Sequence, residues 1–94
     1  MTPLADKPAA RAPRRRDDLA ARELEGEVLL YDSSGARAHA LNATAARVWE
    51  LCDGTRTLDE IVDGIREIFD VDKPTARRDV ERLLVEFGQR GLLA

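Results

Sequence analysis

Apolar positions recur along this chain with two periods, and the period changes at Leu41. Before it, Glu27-Val28-Leu29-Leu30-Tyr31-Asp32 is a short apolar run of β-favouring residues. Ala36-Arg37-Ala38-His39-Ala40-Leu41 then alternates small and polar residues with period two. Such runs predict short strands, half-buried where they alternate. Between them, Asp32-Ser33-Ser34-Gly35 is a turn cluster whose glycine tolerates positive φ. The stretch Leu19–Gly26 is ambiguous by itself. Leu24 lies beside a second turn candidate, Glu25-Gly26, and this adds a third strand to a small antiparallel meander.

After Leu41 the period becomes helical. Asn42 is a good N-cap, and a helix over 43–52 places Ala45, Val48, Trp49 and Cys52 on one stripe. Asp53-Gly54 ends it, with Gly54 as the left-handed cap. Thr57-Leu58-Asp59-Glu60 fits a capping box. Behind it, Leu58, Ile61, Val62, Ile65, Ile68 and Phe69 recur at helical spacing, the strongest amphipathic signal in the chain. A third helix opens near Asp72-Lys73-Pro74, where a first-turn proline loses no needed donor. Its stripe is Ala76, Val80, Leu83, Leu84 and Phe87. Gly88 and Gly91 bracket its end, and Leu92 and Leu93 are expected to fold back on the core. The predicted class is therefore α+β, a three-stranded antiparallel sheet followed by three helices, winged-helix-like.

Length limits what such a chain does. Its 94 residues allow one small domain, which excludes an enzyme with separate cofactor and substrate lobes. Hydrophobic residues at 44% and charged residues at 35% suit a globule, and no apolar run approaches the about 20 residues that span a bilayer. The net charge of −3 hides a split. Residues 1–16 carry five basic side chains against one acidic, +4, whereas residues 17–94 carry ten against seventeen, −7. An acidic domain repels phosphate backbones, which argues against nucleic acid as partner. The first sixteen residues mix Pro3, Pro8 and Pro13 with small and basic residues, so they read as a disordered basic tail, or a basic arm for an acidic partner. The domain proper is then 17–94. A lone Cys52 forms no intrachain disulfide, and with one His it builds no structural zinc site; a cytoplasmic location follows as the expectation.

Catalytic chemistry needs a nucleophile, base or metal held by neighbours. His39 reads as a solvent-facing strand residue or a ligand contact. Cys52 reads as a buried, inert thiol. Asp59, Glu60 and Asp63 compensate a helix N-terminus and form a solvated face. Glycines follow no phosphate-binding pattern. The expectation is a protein without catalytic residues, metal or cofactor. Arg77, Arg78 and Arg82 are interleaved with Asp79, Glu81 and Glu86, so the last helix presents a mixed face and not the basic one of a DNA reader. Recognition by a sheet edge remains. The alanine-rich strand 36–41 leaves room for an incoming backbone, which main-chain hydrogen bonds would hold. A winged-helix nucleic-acid binder is the rival reading, and a subunit that dimerises through the same edge is the third.

Leu41-Asn42-Ala43-Thr44-Ala45-Ala46, Val48-Trp49-Glu50-Leu51-Cys52-Asp53-Gly54 and Thr57-Leu58-Asp59-Glu60-Ile61 together resemble the PqqD family. Val28–Tyr31 and the closing stretch Asp79–Leu93 extend the likeness to about residues 14–94. The resemblance implies a peptide chaperone, or RiPP recognition element. Such a protein binds a ribosomally made precursor by its leader, as a strand added between the third strand and the third helix. It also implies delivery to a radical SAM maturation enzyme, in pyrroloquinoline quinone (PQQ) biosynthesis or another peptide pathway. Carried over by position, the peptide edge falls on Ala36, Arg37, Ala38, His39 and Ala40, and the helix wall on Arg77, Glu81, Leu84, Val85 and Gly88. The sequence leaves both flanks of that helix open.

Overall fold

The computed structural model describes residues 12–32 and 37–94. Its strands are β1 (Ala20–Leu24), β2 (Glu27–Asp32) and β3 (Arg37–Leu41), and its helices are α1 (Ala43–Leu51), α2 (Leu58–Ile68) and α3 (Lys73–Gln89). The strands form one antiparallel sheet in the order β1-β2-β3. The class read from sequence holds: three antiparallel strands, then three helices. Within Leu19–Gly26, ambiguous in sequence, Ala20–Leu24 becomes a strand through its turn. Glu25 (φ 52°) and Gly26 (φ 86°) both take positive φ, the geometry of a two-residue turn whose twist matches the flanking strands.

Local chemistry sets the helix starts. The Asn42 side chain accepts the Ala45 amide at 2.9 Å. Thr57 and Glu60 form the reciprocal capping box, with the Glu60 carboxylate accepting the Thr57 amide at 2.8 Å and the Thr57 hydroxyl accepting the Glu60 amide at 3.2 Å. Pro74 sits in the first turn of α3. Gly64 lies inside α2, where alanine would suit a helix better. A Cβ there would stand 2.9 Å from Leu51 Cδ1, so the glycine lets α1 and α2 approach.

Register decides which side of the sheet is buried. Val28 faces Leu41, Leu30 faces His39, and Asp32 faces Arg37. Leu30 and Leu41 are buried, so these pairs look toward the helices. Leu29, Tyr31, Ala38 and Ala40 point the other way. The core joins Leu30 and Leu41 to Val48 and Trp49, Ile61, Val62 and Ile65, Val80 and Phe87, and to Leu92 folding back as expected. Ile68 departs from its stripe and is 56% exposed. It is the last residue of α2, and it overhangs a shallow hollow beside Val28 and Phe69.

The segment Pro13–Arg16 departs from the tail reading. The Arg15 amide donates to Cys52 O (2.7 Å), the Arg16 amide to Leu92 O (3.1 Å), the Gly54 amide to Pro13 O (2.9 Å) and the Ala94 amide to Arg14 O (2.7 Å). These residues form a strap between the end of α1 and the C-terminal segment. The Arg15 guanidinium lies 5.6 Å from the Trp49 ring centroid. Composition hides this docking: part of it is made by backbone groups that every residue carries, and the Arg15 and Arg16 side chains reach partners distant in sequence. Residues 1–11, the rest of that stretch, lie outside the described residues.

Candidate functional site

Among the described residues, no strand pairs with the far side of β3. A strand edge of this kind carries a row of unpaired backbone donors and acceptors. Its side chains alternate. Arg37, His39 and Leu41 look toward the helices, and Ala38 and Ala40 look away, their short side chains leaving the edge accessible. Ala36 lies outside the described residues.

Beside this edge is a cleft of about 340 Å³. Ala40 and Leu41 of β3, Asn42, Thr44 and Ala45 at the start of α1, and one flank of α3 line it. Leu41, Ala45, Leu83 and Phe87 give it a buried apolar base. Asp79, Arg82, Glu86 and Arg90 form its α3 rim. Arg82 is held within that rim, by Glu86 Oε2 at 3.1 Å and Asp79 Oδ1 at 3.9 Å. An apolar side chain fits the base, and a polar backbone fits the edge.

The α3 flank that lines this cleft is not the one carried over by position. Arg77, Glu81, Leu84, Val85 and Gly88 do not line this cleft; Ala40 does. The Arg77 guanidinium bonds the Asp59 carboxylate of α2 and lies 3.6 Å from Glu81, so that flank turns toward α2. Leu84 packs partly on the core, and Val85 is 60% exposed. The flank that does line it has a sequence signal: Asp79, Arg82, Glu86 and Arg90 recur every three or four residues, a stripe that also fits a solvated face.

The two reactive side chains differ in burial. His39 is half-buried opposite Leu30. Cys52 is buried and donates to Val48 O at 3.2 Å. Burial pushes its pKa up to about 12, despite the opposing pull of Arg15, which leaves the thiol protonated and a poor nucleophile. Among the described residues, no group of three or more His, Cys, Asp or Glu is placed to hold a metal ion. No described helix is long and apolar enough to cross a membrane.

A meander whose edge strand borders a cleft against the last helix defines the architecture. The family model for coenzyme PQQ synthesis protein D (PqqD) matches residues 27–93, and the chain belongs to that family. The matched span begins at β2, so the strap and β1 precede it. Two solved structures share the fold. TbiB1 in complex with the TbiA(beta) leader peptide is 29% identical, with TM-score 0.73 over 85% of this chain and 93% of that one. A lasso peptide synthetase B1 complexed with the leader peptide is 18% identical, with TM-score 0.75 over 88% of this chain and 98% of that one. No curated protein sequence matches the chain significantly.

Proposed function

We propose that this protein is a non-catalytic recognition element for a ribosomally made precursor peptide. The leader adds as a fourth strand along Arg37, Ala38, His39 and Ala40. Its inward side chains drop into the cleft against Leu83 and Phe87. The carrying observation is an open strand edge directly beside an apolar-based cleft. Main-chain bonds supply affinity in this mode, and alternate pockets supply selectivity. Both of these similar structures are leader-peptide complexes, which supports the reading. The peptide is then presented, in the cytoplasm, to a radical SAM maturation enzyme, and the family's description points to PQQ biosynthesis. The lasso peptide synthetase among the similar structures favours a second pathway, another modified peptide.

Titration with the leader encoded beside this gene tests the site. Micromolar or tighter binding is expected, with amide shifts over residues 37–41 and 79–90; no shift sinks the proposal. Proline at Ala38 and at His39 tests strand addition. Amides alternate in direction along an antiparallel edge, so one of the two positions points its N–H away from β2. Proline there should leave the far-UV spectrum intact and weaken binding at least tenfold. Unchanged affinity in every folded variant rejects strand addition. Sedimentation with and without peptide separates the dimer, which would compete for the same edge.

A further inference from the structure

Resting on the peptide-binding reading, we propose that the groove selects a precursor bearing an acidic side chain four residues after an apolar one. The argument begins with where two arginines lie. Arg37 is the first residue of β3, pairs across the sheet with Asp32, and points to the helix side. Arg90 closes α3 on the cleft rim. One Arg16 guanidinium nitrogen reaches both Asp32 Oδ2 (3.3 Å) and Gly91 O (2.9 Å). Asp32 is the partner of Arg37, and Gly91 is the neighbour of Arg90. The two arginines therefore flank the same end of the groove.

Their charges differ in kind from the rest of the rim. Arg82 is taken up by Asp79 and Glu86. Arg37 and Arg90 are both exposed, and neither makes an ion pair among the described residues. Asp79 stands about 16 Å up the helix from Arg90. The groove thus has a free cationic end and, further along, a stretch whose carboxylates outnumber its arginine.

Register turns this into a spacing. Arg37 and Leu41 lie on one face of β3, four residues apart. A strand paired to β3 places same-face side chains at the same interval. The side chain beside Leu41 meets the apolar base formed with Leu83 and Phe87. The one beside Arg37 meets the two free guanidinium groups. Every pair in this sheet is antiparallel, so the added strand runs against β3 and the acidic residue follows the apolar one.

Selection of a randomised twelve-residue peptide library on the full chain, and on an Arg37→Glu/Arg90→Glu variant, tests this. The wild type should enrich an apolar residue with Asp or Glu four positions later, and the double variant should lose that preference or replace it with Lys or Arg. In a selected peptide, Glu→Gln should weaken binding about three- to tenfold at low salt, with the difference shrinking as salt rises. Arg22→Glu, on the opposite sheet edge, should leave selection unchanged. Enrichment without an acidic preference, or the same preference in the double variant, overturns the charge assignment. An acidic residue preceding the apolar one overturns the antiparallel placement. Retention of no peptide by the wild type overturns the peptide-binding reading itself.

Discussion

Cys52 shows how one position is settled by its surroundings. Its sulfur is buried against Val48 O, and desolvation raises its pKa from 9.0 to about 12. Only the thiolate attacks electrophiles. Iodoacetamide at pH 8 should therefore leave the folded protein unmodified and label it rapidly in urea; fast labelling of the native form would refute the burial account. Arg77 is equally local. Its pairing with Asp59 marks the flank of α3 that lies toward α2, and Asp79, Arg82, Glu86 and Arg90 line the cleft beside β3.

At the scale of elements, the β1–β2 turn offers a test. Type I′ turns favour asparagine or glycine at the first position, because left-handed backbone costs other residues about 1–2 kcal/mol. Glu25 occupies that position at φ 52°. Glu25→Asn should raise the Tm by a few degrees, read by calorimetry. No rise would mean that the turn relaxes away from this geometry. The elements themselves were legible because local chemistry specifies them: Asn42, the Thr57–Glu60 box, Pro74 and the helical stripes act within one or two turns. Which flank of α3 borders the cleft was not legible: the stripe Ala76, Val80, Leu83 and Phe87 sets the buried face, whereas which side of it lies toward β3 and which toward α2 depends on how the elements pack. The strap was not legible either: its backbone bonds leave no residue signature, and its arginines find partners far away in sequence, at Glu50 O, Asp32 and Gly91 O. In the site, the strand edge could be read from its alternating alanines, whereas the cleft wall needed the helix rotation.

Over the whole molecule, titration should give a broad plateau of stability. The Arg16 hydrogen bonds hold the Asp18 carboxyl below its usual 3.8, and the Thr55 hydroxyl and amide do the same for Asp53. Lowered acids stabilise the fold above the unfolded value and lose that contribution as pH falls through the folded one. The raised Cys52 thiol stabilises below 9.0, and its contribution is lost as pH climbs from there toward about 12. The urea midpoint should be nearly constant from about pH 5 to 9 and fall on either side. A midpoint that drops steadily across that window would contradict these assignments.

The strap also bears on the order in which the chain assembles. Hairpins and successive helices join residues near one another in sequence, so they close small loops early. Pro13–Arg16 instead meets Cys52–Gly54 and Leu92–Ala94, bringing together the remotest parts of the described chain. That seam should zip last, after the core has condensed. Alanine at Arg15 should then accelerate unfolding in stopped-flow denaturant jumps while the refolding limb stays in place. The Arg15 and Arg16 amides, both held in the seam, should exchange with deuterium ahead of those of β2, giving a measurable first step to the protein's opening.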